Sequence, residues 1–167
     1  PAQPGTALSV NGVTYSEAQV TEAVADYKEL TGQTLDRSTV VRMIPDSLKF
    51  TELADAIGLE ASDDDVKTYL DDLVAAGKVT EPSDGIGQVM TEILRYTVIS
   101  AQINSLGQDE IATASEEFTK ISDAQQVEIN PRYGTVAADG SIQLPKFGDV
   151  VDASDVLAAQ TDSGQSV

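Results

Sequence analysis

Two kinds of hydrophobic pattern divide the chain into a short β part and a longer α part. Residues 8–10 and 13–15 are β-favouring runs on either side of Asn11-Gly12. An Asn-Gly pair in that position is typical of a hairpin with a type I′ turn. Ser16 follows, with Gln19 three residues later, which is the arrangement of a helix capping box. The sequence therefore predicts a hairpin that leads directly into a helix.

The segments that follow have apolar residues three and four positions apart, as on one face of a helix. Pro45 removes one backbone hydrogen bond from the second segment, so we expect a kink or two helices there. Ser62 and Asp65 form a second capping-box pattern at the start of the third. The predicted helices cover about residues 16–32, 37–57, 62–77, 86–106 and 108–126.

The fourth predicted helix is the most apolar, which places it at the centre of the bundle. The last predicted helix has a narrower apolar face. The residues expected to face inward from it are Ile111, Ala114, Phe118 and Ile121.

The character of the chain changes after the last helix. Residues 127–130 alternate as a strand, and a turn of mixed chemistry follows it. A rigid proline, a planar guanidinium, an aromatic ring and a glycine in that turn favour docking on the bundle, with a partner-recognition site as the alternative. The motif consists of Asn130, Pro131, Arg132, Tyr133 and Gly134.

The residue patterns also predict the domain organisation. Asp139-Gly140 predicts a small second hairpin. We expect a flexible N-terminus over residues 1–6, one folded domain over 7–147 and a flexible acidic, Ser-rich tail over 148–167. The fold class is mainly α (α+β), a helical bundle with a small β element.

The amino-acid composition excludes several classes of function. The chain has 167 residues with 28 acidic and 10 basic side chains, a net charge of −18, and no Cys, His or Trp. Ser-His-Asp and Cys-His catalytic sites are excluded, as are imidazole and thiolate metal sites. The negative charge repels phosphate backbones, so nucleic acid is not an expected partner. We expect no enzyme activity, no metal, no cofactor and no small-molecule substrate, with a carboxylate-only enzyme as an open alternative.

A resemblance to a known family rests on three motifs in order. They are residues 10–14, residues 58–66 and residues 127–134, which together with the intervening helices resemble the N-terminal chaperone domain of SurA over about residues 7 to 135. That domain is related to PrsA foldases and to the trigger-factor chaperone module. The last motif is similar to the closing strand of exported SurA-like lipoproteins.

The resemblance implies a mostly helical domain whose first strand pairs with the strand near Val127. It also implies an extracytoplasmic role in the cell envelope, binding unfolded or partly folded exported proteins. Foldases of this family carry an inserted parvulin domain, for which residues 80–85 leave no room, so prolyl-isomerase activity should be absent. Membrane anchoring would need a lipid on a Cys, a residue that this chain lacks.

Chaperones bind unfolded clients on adaptable apolar surfaces that often include Met and aromatic side chains. The high negative charge would keep a protein with such a surface soluble. The alternative role is an envelope scaffold that docks one folded partner. The candidate client-binding residues, for which ordinary core packing is the other interpretation, are Met43, Phe50, Val89, Met90, Ile93 and Val98.

Overall fold

The computed structural model of the protein describes residues 4–143, which form a helical bundle joined to a small antiparallel sheet. The prediction of a mainly α fold with a small β element is confirmed. The elements are β1 (Thr6–Val10), β2 (Val13–Ser16), α1 (Glu17–Thr31), α2 (Arg37–Ile57), α3 (Asp63–Ala75), α4 (Gln88–Asn104), α5 (Gln108–Ala124), β3 (Val127–Ile129), a 3₁₀ turn (Pro131–Tyr133), β4 (Thr135–Val136) and β5 (Ile142–Gln143).

The sheet brings the two ends of the described chain together, in the strand order β2-β1-β3. Asn11 and Gly12 have φ angles of 51° and 83°, as a type I′ turn requires. Leu8 lies opposite Ile129 in an antiparallel ladder, so the expected pairing of the first strand with the strand near Val127 is confirmed. Thr6 belongs to β1 and pairs with Ser16 of β2. The predicted tail at 148–167 lies outside the described residues.

Serine N-caps begin α1 and α3 as the sequence predicts, whereas α3, α4 and α5 end two residues earlier than the predicted ranges and α4 begins two residues later. Both capping boxes form, with the Ser16 hydroxyl accepting from the Gln19 amide at 3.1 Å and the Ser62 hydroxyl accepting from the Asp65 amide at 3.2 Å. Pro45 lies inside α2, which is one helix, so the alternative of two helices is wrong. Burial of Pro45 against the bundle maintains the helix despite the missing amide.

The centre of the bundle is α4, which packs against α1, α2 and α3, as its apolar sequence predicts. α5 packs mainly against α2. Ala114 is buried, but Ile111 is 43% exposed, so the inward position predicted for Ile111 is wrong. The helical period puts Ile111 on the same face of α5 as Ala114. Neighbouring helices cover only part of that face, and Ile111 lies outside the covered part.

None of the helices within residues 4–143 combines the length and the hydropathy that crossing a bilayer requires.

Candidate functional site

An open groove of about 610 Å³ lies between α3 and the segment that links α3 to α4. Its exposed apolar surface comes from Val74 and Ile86, which are half-buried, while Val66 and Leu70, which are buried, lie beneath it. The lining residues are Asp63, Val66, Lys67, Leu70, Asp71, Val74, Ala75, Glu81, Pro82, Gly85, Ile86 and Thr91.

The groove exists because α3 has more apolar surface than its neighbours cover. The apolar stripe of α3 runs from Val66 to Val74, and among the helices α3 packs mainly against α4. The other side of the stripe faces the linker, where Pro82 and Ile86 approach it without filling the space. An amphipathic helix with one uncovered flank leaves such an apolar channel.

The linker forms a fixed wall because α1 holds it at three points. The Thr80 amide donates to the Leu30 carbonyl at 2.9 Å. The Ser83 amide and hydroxyl both donate to Glu29 Oε1, at 2.8 and 2.7 Å. The hydrogen bonds from the Ser83 backbone and hydroxyl lower the pKa of Glu29 below its usual range. The wall therefore has a defined position relative to α1.

The third contact between α1 and the linker lies at the start of α4. Asp26 is buried on α1, and its Oδ2 accepts from the Gly87 amide at 2.8 Å. Gly87 is the N-cap of α4 and has no side chain with which to cap the helix. A carboxylate at a helix N-terminus satisfies a free amide and complements the helix dipole. Asp26 thus caps the start of α4 and holds the end of the linker on α1.

Acidic side chains surround the apolar part of the groove. Asp63 forms an ion pair with Arg95, and Asp71 pairs with Lys67 at 3.3 Å. Glu81 is exposed on the linker side. Exposed pairs such as Asp71–Lys67 contribute little to stability, so the charges remain available to a ligand.

The candidate client-binding residues do not lie in this groove. Val89, Met90 and Ile93 are buried in the core, so they offer no binding surface in this structure, because the faces of α4 that carry them are covered by neighbouring helices. Met43 and Val98 are half-buried on α2 and α4.

Phe50 is half-buried and belongs to an aromatic cluster between three helices. Its ring centroid lies 4.6 Å from that of Tyr96 and 5.3 Å from that of Phe118. These distances are typical of favourable edge-to-face and tilted pairs. Phe50 thus connects α2 to α4 and α5, a packing role.

The motif after β3 docks on the bundle. Tyr133 is 3% exposed, and its hydroxyl donates to Glu17 Oε2. Arg37 Nη2 contacts the same carboxylate oxygen at 2.5 Å, and Arg132 Nη1 lies 3.4 Å from Glu17 Oε1. Asn130 Oδ1 accepts from the Arg132 amide at 3.1 Å and so closes the turn. The turn is thus held against α1 and α2 in the structure.

The remaining residues of the structural motifs have local roles. Asn11 Oδ1 accepts from the Gln126 amide at 2.8 Å, so the hairpin turn also holds the start of β3. Pro131 occupies the first turn of the 3₁₀ segment, where a missing amide costs nothing. Gly134 ends it with a φ of 123°, which favours glycine.

Two buried acids bear on the alternative of a carboxylate-only enzyme. Asp26 caps α4, as described above. Glu92 is 8% exposed, and its Oε1 accepts from Tyr15 at 3.2 Å and from Gln88 at 3.3 Å. Its Oε2 is buried without a hydrogen-bond partner among the described residues. Burial raises the pKa of Glu92, and neither acid lines the groove. Both have structural contacts.

Over residues 4–143 the structure assembles no group of three acidic side chains suited to a metal ion. Comparison of the chain with protein-family models, with curated proteins and with solved structures finds no match in any of the three. Functional inference therefore depends on the geometry of the groove and on the sequence resemblance.

The sequence contained a signal for the groove that the candidate residues missed. Val66, Leu70 and Val74 form a clear apolar face on α3, and Pro82 and Ile86 are apolar residues in an otherwise polar linker. Their proximity depends on the path of the linker, which the contacts to α1 determine.

Proposed function

We propose that the protein is a non-enzymatic chaperone module of the cell envelope, which binds apolar segments of unfolded polypeptides in the groove beside α3. The observation that carries the proposal is the groove itself, with an apolar surface, an open top and a polar edge. Ligand sites in proteins are typically concave and mainly apolar, with a few polar groups at their margin. The length of the groove along α3 suits a peptide segment.

The sequence supports the same proposal in two ways. The resemblance to SurA-like chaperone domains implies extracytoplasmic binding of unfolded clients. The chain also lacks His, and residues 76–87 between α3 and α4 leave no space for an inserted isomerase domain. We therefore propose a holding activity without prolyl isomerisation.

A second candidate function is a scaffold that docks one folded partner. The observation that favours it is the fixed linker wall, held by Leu30, Glu29 and Asp26. A preorganised surface lowers the cost of binding one defined shape. A chaperone is expected to tolerate many sequences, whereas a scaffold selects one surface.

The experiment that separates these functions is an NMR titration of the isotope-labelled protein with a permanently unfolded polypeptide and with its folded counterpart. We expect amide shifts at Val74 and Ile86 with the unfolded chain alone. Shifts with several folded proteins would contradict unfolded-client selectivity. An absence of shifts with any unfolded chain would exclude the chaperone function and leave the scaffold.

A matched pair of variants shows whether the groove is the binding surface. Ala75 is the exposed last residue of α3 and lines the groove, while Ala124 is the exposed last residue of α5 and does not. Ala75→Trp should fill the groove and remove most of the client binding, whereas Ala124→Trp should leave it unchanged. Circular dichroism melts check that both variants are folded. Equal binding by both would place the client site elsewhere.

A further inference from the structure

The charges beside the groove are unevenly distributed. Helix α3 carries five Asp and a single basic residue, Lys67, and of these charged residues Asp63, Lys67 and Asp71 line the groove. The linker, residues 76–87, has two exposed acids, Glu81 and Asp84, and one exposed base, Lys78. Arg95 of α4 pairs with Asp63. Acidic side chains therefore outnumber basic ones on both walls of the apolar channel.

We infer that the groove selects polypeptide segments in which a short apolar stretch is flanked by Lys or Arg. The inference rests on the proposed function, since it specifies which segments the same groove takes. The apolar stretch would cover Val74 and Ile86, and the flanking cations would reach the carboxylates on the walls. Lys and Arg suit this position because their aliphatic stems lie along apolar surface while their charged ends remain in water.

Electrostatics gives this selection its physical basis. Complementary charges raise association rates and discriminate against like-charged ligands more than they add affinity. The net charge of −18 extends the same preference to long range. Screening by salt weakens interactions between exposed charges, so the selection should decline as ionic strength rises. Acidic segments, and anionic membrane surfaces, would be repelled.

The test uses three short peptides that share one apolar core of Leu, Val and Phe and differ only in their flanks, which are Lys, Gln or Glu. Binding is measured by fluorescence anisotropy at low and at high salt. We expect the Lys-flanked peptide to bind about fivefold more tightly than the Gln-flanked one at low salt, and the Glu-flanked one to bind most weakly. High salt should bring the three affinities together.

Matched variants separate local charge from total charge. Asp71→Asn with Glu81→Gln removes two charges from the groove walls, and Asp55→Asn with Glu116→Gln removes two exposed charges elsewhere. The first pair should abolish most of the preference for Lys flanks, and the second should keep it. Melts confirm that both are folded, as expected for exposed side chains.

The outcomes distinguish this inference from the proposed function. Equal binding of all three peptides would overturn the charge selection and leave the groove as a general apolar site. Equal loss of preference in both double variants would show that only the net charge acts, which also overturns the inference. If none of the peptides binds, the groove does not take polypeptide and both proposals fail.

Discussion

The Tyr15 hydroxyl donates a hydrogen bond of 3.2 Å to Glu92 Oε1 and so joins the hairpin to the central helix across the core. Tyr15 is 2% exposed, and Glu92 is almost as deeply buried. Gln88, one turn earlier on α4, donates to the same oxygen. The second carboxylate oxygen of Glu92 has no partner among the described residues. An ionised Glu92 therefore has only part of the stabilisation that water would give it.

The first prediction concerns the pH dependence that this residue causes. Burial raises the folded pKa of Glu92 above its ordinary value of 4.5, although hydrogen bonds from Gln88 and Tyr15 and the charge of Arg95 oppose the rise. Between the ordinary and the folded pKa the unfolded chain has lost the proton and the folded chain has not. The free energy of unfolding therefore falls as pH rises through that interval.

Glu92→Gln removes this ionisation and keeps an oxygen for the Tyr15 hydroxyl. We expect the variant to be more stable than the parent by about 1 kcal/mol at neutral pH, the usual scale for a buried polar group that lacks one of its hydrogen bonds. The difference should shrink towards acidic pH. Urea unfolding across the pH range measures it, with exposed Glu116→Gln as the control. A difference that does not change with pH would contradict the explanation.

The second prediction concerns Glu17, whose pKa is shifted in the opposite direction from that of Glu92. Burial alone would raise its pKa, but hydrogen bonds from Tyr133 and Arg37, together with the charges of Arg132 and Arg37, lower it below 4.5. The stabilisation from Glu17 is then complete above the ordinary pKa and is lost as pH falls through the folded pKa. Glu17→Gln should lower the free energy of unfolding by about 1–3 kcal/mol at neutral pH and by less in acid.

Tyr133→Phe provides a second measurement on the same cluster. It keeps the charge of Glu17 and its contacts with Arg37 and Arg132, and removes the phenolic hydroxyl, which donates to Glu17 and accepts from Arg37 Nε at 3.3 Å. The expected loss is about 1–2 kcal/mol, since each of the two hydrogen bonds contributes about 1 kcal/mol. If both variants match the parent at neutral pH, the cluster does not hold the 3₁₀ turn on the bundle.

The third prediction compares two glycines. Gly12 has a φ of 83° in the hairpin turn, whereas Gly107 has a φ of −71° at the start of α5, where an added methyl group would meet no atom within 4 Å. Gly12→Ala should cost about 1–2 kcal/mol because the left-handed conformation strains residues with a Cβ. Gly107→Ala should cost less, about 0.5–1 kcal/mol, because alanine is a poorer N-cap than glycine but its backbone angles at this position are unstrained. Thermal melts with urea titrations compare the two, and equal losses would contradict the assignment of strain.

The fourth prediction concerns the linker wall. Glu29→Gln weakens the acceptor that holds the Ser83 amide and hydroxyl, so the Ser83 amide should exchange with solvent faster. The melting temperature should change little, because the contact is exposed. Hydrogen exchange followed by NMR measures this, with exposed Glu116→Gln on α5 as the control. Unchanged exchange at Ser83 would mean that the wall keeps its position without Glu29.

Local chemistry explains why much of this fold could be predicted. The Asn11-Gly12 turn and the two capping boxes depend on residues close in sequence, and each forms as predicted. The central position of α4 followed from its apolar composition. Pro45 shows the limit of local reasoning, since tertiary packing keeps α2 as one helix despite the missing amide.

The candidate site could not be predicted in the same way. Met90 is of a residue type that client-binding surfaces often contain. Only the arrangement of α1, α2 and α3 around α4 decides that it is buried. The groove depends on which flank of α3 remains uncovered. The apolar periodicity of α3 does not show which flank stays uncovered, because that depends on the elements that pack against the helix.

The sequence by itself determined the class of fold, the capped starts of α1 and α3 and the exclusion of His- and Cys-based chemistry, because propensity, capping and composition act over a few residues. Tertiary structure alone decided where the apolar surface remains open and which acids are buried. Asp26 and Glu29 show the reason: their carboxylates on α1 hold Gly87 and Ser83 of the linker, residues distant in sequence that only the folded chain brings within hydrogen-bond distance.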